Sequence, residues 1–145
     1  MVRSPRMKRQ RAKLSLHIKH PTRDLSSVCA TFGLRPTHLW KAGDERRTPK
    51  GNKIGGLRTE SYCSIHFGPT TRQPLSKQLE AALGMLKPHR RILRRLSSTG
   101  GSISFFVGWF FKEHAGESFS RQILDEMADL RIVLELNIYV PDNRG

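Results

Sequence analysis

The chain has 145 residues, 37% of them hydrophobic, with 26 Lys and Arg against 12 Asp and Glu for a formal net charge of +14. That length predicts one domain, the hydrophobic share argues against a largely disordered chain, and no apolar run approaches the ~20 residues a membrane span needs. Two cysteines make no disulfide framework, and the basic start leads into an alternating pattern rather than an apolar signal core, so a reducing cytoplasm is expected.

The charge is unevenly spread. Residues 1–13 carry six basic and no acidic side chains, 35–58 seven against two, and 72–95 seven against one, whereas 112–145 carry four against seven. Residues 1–13 lack apolar periodicity and read as a mobile basic arm, with a single domain following over 14–145. Leu14, Leu16 and Ile18 then alternate with polar residues, the period of a strand with one buried face. Thr22 is placed to cap a helix burying Leu25, Val28, Cys29 and Phe32, with Gly33 as its stop. Residues 35–56, rich in Pro, Gly and cations, read as a long loop with a short extended piece at His38 to Trp40. A second strand is expected from Leu57 to Phe67, turning Cys63, Ile65 and Phe67 to one side and Tyr62, Ser64 and His66 to the other.

Leu75, Leu79, Ala82, Leu83 and Leu86 follow at helical spacing, and Pro88 kinks that helix or begins another carrying Ile92, Leu93 and Leu96. Lys87, Arg90, Arg91, Arg94 and Arg95 fall on one stripe with no carboxylate partner within it, a self-repelling row that something anionic would relieve. The third strand, Ile103 to Phe111, turns Phe106, Gly108 and Phe110 away from the core face. A last helix is expected from about Ser118, burying Ile123, Leu124, Met127 and Leu130. A fourth strand, Val133 to Val140, is expected to bury Leu134, Leu136, Ile138 and Val140 and to turn Glu135, Asn137 and Tyr139 outward.

This β-α-β-α-β-α-β order predicts an α+β fold: a four-stranded mixed or antiparallel sheet with amphipathic helices on one face. The other face then collects Tyr62, Phe106, Phe110 and Tyr139 among basic groups. That is a candidate stacking platform, although a dimer interface or burial beneath the chain's own loop would use the same residues.

Phe32-Gly33-Leu34-Arg35-Pro36-Thr37, Trp40-Lys41-Ala42-Gly43-Asp44, Thr48-Pro49-Lys50-Gly51 and Leu136-Asn137-Ile138-Tyr139 together resemble the bacterial domain-of-unknown-function family 4279, over roughly Leu14 to Val140. The resemblance implies a Gly-Leu-x-Pro turn after a helix, a Lys-x-Gly-Asp loop and a closing Leu-x-Ile-Tyr strand. Tyr62 stands where the pattern expects tryptophan and Asn137 where it expects aspartate. It implies no settled biochemical role; some members look like immunity proteins of toxin systems.

No metal or cofactor is expected. His17/His20 and Cys63/His66 are each three apart on extended chain and so point to opposite faces. Lys50 to Gly56 lacks the spacing of a phosphate-binding loop. The reading is a non-catalytic interaction module for an acidic protein, such as a toxin domain, or for nucleic acid. It would use Trp40, Lys41, Arg46, Arg47, Lys50 and Lys53 of the loop, the Lys87–Arg95 stripe, and the aromatic face; a homodimer is open. The alternative is a small enzyme with Glu60, Glu135, His17 and His66 as acid/base groups.

Overall fold

The structure, a computed structural model, describes residues 10–68, 70–113 and 115–140. Residues 1–9 of the expected basic arm lie outside the described residues.

Strand β1 (Gln10–His20) is central to the fold, and its alternation starts earlier than Leu14: Ala12, Leu14, Leu16 and Ile18 are all buried on one side. Arg11 and Lys13 are therefore strand residues rather than part of an arm. Helix α1 (Ser26–Phe32) buries Val28, Cys29 and Phe32 and stops at Gly33, whose φ of 69° is the left-handed conformation a glycine cap supplies. Thr22 does not cap it: Leu25 occupies the cap position, and the Thr22 N–H donates instead to His20 Nδ1.

The expected long loop is structured. It contains β2 (His38–Trp40) and a hairpin of β3 (Glu45–Arg47) and β4 (Lys53–Leu57), closed by hydrogen bonds between Thr48 and Asn52. Leu57 thus ends the hairpin, and the next strand, β5 (Ser61–His66), begins only after a break at Arg58–Glu60. Runs as short as three residues, built from polar and glycine positions, lack an apolar period to betray them.

Helix α2 (Leu75–Leu86) passes through a 3-10 turn (Lys87–His89) into α3 (Arg90–Ser98). Its Pro74 cap position has no side-chain acceptor; the Leu75 and Ser76 N–H groups donate to the Glu117 carboxylate at 3.1 and 2.6 Å, an acceptor 41 residues downstream of Ser76. Strand β6 (Ser102–Phe111) leads to α4 (Arg121–Asp129), which Ser120 caps by accepting from the Ile123 N–H at 3.1 Å. This helix buries Ile123 and Met127, with Leu130 beyond it also buried, but Leu124 faces solvent. Strand β7 (Ile132–Tyr139) closes the described chain.

The fold is α+β as expected, but the sheet has five strands, ordered β2-β5-β1-β6-β7. All pairs are antiparallel except β6 with β7, which the α4 crossover makes parallel. Leu16 stands between Ile65 and Phe105, and Ile18 between Cys63 and Ile103, so one face is continuously apolar and packs against the helices. Gly101 allows the start of β6 to pass close to its neighbours: a Cβ there would lie 2.6 Å from the Leu96 carbonyl oxygen and 2.9 Å from that of Lys19. At the far edge the core runs out. Ile132 is buried, but Leu136, Ile138 and Val140 are exposed rather than buried, because α4 is only nine residues long and packs near the start of β7.

One further expectation meets a different arrangement. Three of the five cations of the stripe are partnered: Lys87 pairs with Glu126, while Arg90 (2.6 Å) and Arg94 (2.8 Å) share the Asp129 carboxylate, so α4 supplies acids that α3 lacks. The two cysteines, one on α1 and one on β5, meet in the core with sulfurs 2.8 Å apart as free thiols.

Candidate functional site

The face opposite the helices is built from alternate residues of the same strands. Along β1 it presents Arg11, Lys13, Ser15, His17 and Lys19; β5 adds Tyr62, Ser64 and His66; β6 adds Ser104, Phe106, Gly108 and Phe110; β7 adds Val133, Glu135, Asn137 and Tyr139. Among the described residues no segment covers it. Phe110 and Tyr139 remain 42% and 51% exposed, and Tyr62, His17 and Phe106 are half-buried.

The rings are organised. Trp40 packs on Tyr62 with centroids 4.6 Å apart, Tyr62 meets the His17 ring edge-on at 5.7 Å, and His17 stacks on Phe106 at 4.8 Å with planes 10° apart. A strip of four rings therefore crosses β2, β5, β1 and β6. Phe110 and Tyr139 form a second stack, again at 4.8 Å, across β6 and β7. Parallel rings at this distance, which matches the spacing of neighbouring strands, overlap face on face and so stand up from the sheet. Small residues make room for them. Ser15 and Ser64 are buried between the rings, and Gly108 lies under Phe110 and Tyr139, whose ring atoms come within 4.0 Å of a Cβ placed there.

At the β2 end, the Arg58 guanidinium sits 3.8 Å over the Trp40 ring. It is held there because the Arg58 N–H donates to the Asp44 carbonyl and its own carbonyl accepts from the Gly43 N–H. Beyond it, a cleft of about 630 Å³ separates β2 from the hairpin, lined by His38, Trp40, Glu45, Arg47 and Arg58 among others. His38 Nδ1 bonds the Ser64 hydroxyl at 3.0 Å, tying β2 to the centre of the face.

The electrostatics follow from this placement. Burial pushes His17 below the ordinary imidazole range; Glu135 opposes that shift, while His66, Lys19 and His38 add to it. His66 is lowered too, by burial first and then by Lys13 and His38. Burial raises the Tyr62 phenol. Both shifts favour the neutral forms of His17 and His66, and the fixed positive charges of the face are Arg11, Lys13, Lys19 and Arg58.

The expected site residues therefore divide into three places. Tyr62, Phe106, Phe110, Tyr139 and Trp40 come together on the open face. Arg46, Arg47, Lys50 and Lys53 lie on the hairpin beside it, where Glu45 already pairs with Arg47 at 3.0 Å and Lys53 at 3.5 Å, and Lys41 sits in the preceding turn. Lys87, Arg90, Arg91, Arg94 and Arg95 are on the helix side of the sheet and do not join the rings in one surface. Of the acid/base set, Glu135 and His66 lie within electrostatic reach of His17, but Glu60 stands apart from them. Glu60 pairs with Lys19 at 3.9 Å beyond the Ser61–His20 end of β5, whereas Glu135 stands opposite Phe106, itself opposite Ser15. The carboxylates are thus at least five residues apart along the strands, about 17 Å, and on opposite sides of β1. The His17/His20 and Cys63/His66 pairs do point to opposite faces.

Arg11 and Lys13 were missed as site residues. The alternation that marks β1 already extends back through Ala12, but a small side chain among six cations carries a weak apolar signal.

A model of the domain of unknown function DUF4279 matches residues 10–141. The chain belongs to the DUF4279 family. The matched segment begins at the first residue of β1 and ends just past β7, so this DUF4279 domain comprises the whole five-stranded sheet and its helices. Neither the curated proteins nor the solved structures give a match to the chain.

Proposed function

We propose that this DUF4279 chain is a non-catalytic module that holds single-stranded nucleic acid across the open face of its sheet. The observation that carries the reading is the interleaving on β1 and its neighbours. Arg11, Lys13 and Lys19 lie in line on the central strand, with ring stacks on either side and no covering segment among the described residues. A ligand that repeats a phosphate and a planar base at every unit satisfies both features at once, with cations on the phosphates and bases against Tyr62, Phe106 and Phe110. Acidic protein would use the cations but has no comparable supply of flat apolar groups for the rings.

Fluorescence anisotropy with an end-labelled twenty-residue oligo(dT) tests the proposal. Three or four face cations predict that log affinity falls with log salt at a slope of roughly −2 to −3, from about −0.7 per phosphate neutralised on a single strand. Arg11→Glu with Lys13→Glu should abolish most of the binding. Phe110→Ala should weaken it at least about fivefold, the lower limit for one base–aromatic stack. The pair Arg91→Glu and Arg95→Glu, on the helix side, should leave it nearly unchanged. Absence of binding at 20 mM salt, or equal loss from the helix-side pair, would overturn the proposal, as would saturable binding to poly-glutamate with the oligonucleotide inert.

A further inference from the structure

The five-stranded sheet has two edges, and they are finished differently. At one, β2 is three residues long and is followed by Lys41 and the hairpin, which is how edges are ordinarily blunted. At the other, β7 runs eight residues with no Lys and no Pro, its backbone paired on one side only among the described residues, and its register with β6 is unbroken from Ile132 to Tyr139. Its side chains are as unusual as its length. Val133 is 63%, Ile138 56% and Val140 73% exposed, with Leu136 and Tyr139 also largely open, so both faces of this edge are apolar to solvent. An edge of this kind is a template for another strand.

The charge pattern selects the strand. Two copies of a +14 chain repel wherever their cationic surfaces meet. Residues 112–145, however, hold four basic and seven acidic side chains, and from Ile132 to Val140 the one charged residue is Glu135. The strand that is apolar and unpaired among the described residues thus itself carries no positive charge to set against a second copy.

We infer that β7 is the seam of a homodimer, in which the outer edge of β7 pairs antiparallel with the same strand of a second copy and two five-stranded sheets merge into one of ten strands. Antiparallel pairing of identical strands closes by a two-fold axis, so the contact is self-limiting. An axis through Leu136 sets Leu134 opposite Ile138 and Val133 opposite Tyr139 of the second copy. The same axis keeps the two Glu135 carboxylates from facing each other. Glu135 then stands opposite Asn137 of the second copy, a neutral polar residue rather than a like charge. The two open faces become continuous, an arrangement that does not depend on what those faces bind.

Sedimentation equilibrium of the full chain tests this. The expected mass at about 50 µM is twice 16.6 kDa. The double variant Ile138→Lys, Val140→Lys, at positions too exposed to matter to folding, should sediment at 16.6 kDa with an unchanged circular dichroism spectrum. Raising salt from 50 to 500 mM should hold or tighten the dimer, because screening relieves repulsion between two cationic bodies. That is the opposite sign from nucleic-acid binding, so the two proposals fail separately. A wild-type monomer up to about 200 µM would overturn the inference. So would a dimer that survives the lysine pair, or one lost with Phe110→Lys but kept with the lysine pair, which would place the contact on the sheet face.

Discussion

Replacing Gly101 by alanine is the sharpest test of how the helical layer is fastened to the sheet. A methyl group at this position would lie 2.6 Å from the Leu96 carbonyl oxygen, 2.9 Å from the Lys19 carbonyl oxygen and 3.1 Å from His20 Cδ2. The first two are backbone atoms of a helix end and of the central strand, so no rotamer change relieves them, and α3 and β1 must separate by several tenths of an ångström. They are joined at that point, since the Gly101 N–H donates to Leu96 at 2.8 Å and His20 Nε2 bonds the Thr99 hydroxyl at 2.9 Å. Overpacking that displaces backbone falls toward the upper part of its usual range, about 2–3 kcal/mol. For a chain of this size that is a fall in melting temperature of roughly 8–12 °C. Gly84→Ala is the control: Gly84 is in the interior of α2, has ordinary helical φ, and a Cβ there meets nothing within 4 Å. Alanine should stabilise the helix by about 0.5–1 kcal/mol and raise the midpoint by about 2–4 °C. Thermal melts of the two variants followed by circular dichroism give opposite signs if the reasoning holds. A Gly101→Ala midpoint within about 2 °C of wild type would refute it.

The open face and the core each yield one further expectation. His17 is held below the ordinary imidazole value of 6.5 mainly by burial, so the fold favours its neutral form. The unfolded chain takes the proton first as pH falls, so this group's contribution to stability is complete above pH 6.5 and is lost as pH drops from there toward the folded value. In an NMR titration, the His17 ring proton should show a midpoint below 6.5, and Glu135→Gln should lower it further by removing the opposing charge; a midpoint at or above 6.5 contradicts the placement. In the core, Cys63 is raised by its hydrogen bond to Cys29 and by burial, and both side chains are sealed from solvent. A chromogenic disulfide reagent at pH 8 should find no fast-reacting thiol in the native protein and two after unfolding in guanidinium, whereas a fast native thiol would mean that α1 does not close over β5.

What the sequence disclosed depended on how much apolar contrast each element carried. Leu14 to Ile18, Ile103 to Phe111 and the α2 leucines have unbroken periods and large side chains, and they stand where that periodicity puts them. The outward parity of Tyr62, Phe106, Phe110 and Tyr139 follows from the same alternation, so the ring face was legible before the strand order was. The hairpin was not, because Glu45–Arg47 and Lys53–Leu57 offer no buried residue at all; their order comes from backbone hydrogen bonds and from Arg58 anchored over Trp40. The burial of β7 departs from its periodicity for a different reason. Leu134, Leu136, Ile138 and Val140 alternate as a buried strand does, but periodicity reports which residues share a face and not whether a helix is long enough to cover them.

The placement of acids decides where the excess positive charge is felt. Glu126 and Asp129 on α4 answer Lys87, Arg90 and Arg94, so two carboxylates from an element 30 to 40 residues away offset part of the charge of the helical stripe, leaving Arg91 and Arg95 without an acidic partner among the described residues. On the other side of the sheet, Lys19 has a distant partner in Glu60, and Glu45 serves both Arg47 and Lys53, but Arg11, Lys13 and Arg58 have no described carboxylate within ion-pair reach. Positive charge therefore stands on both sides of the sheet, at Arg91 and Arg95 on the helices and at Arg11, Lys13 and Arg58 on the ring face. Reversing Arg90 or Arg94 would set like charge against Asp129 and disturb the α3–α4 contact as well as any binding, whereas Arg11 and Lys13 can be reversed without breaking an ion pair. Charge reversal at Arg11 and Lys13 thus reports on the face alone, and reversal at Arg90 or Arg94 reports on the fold as well.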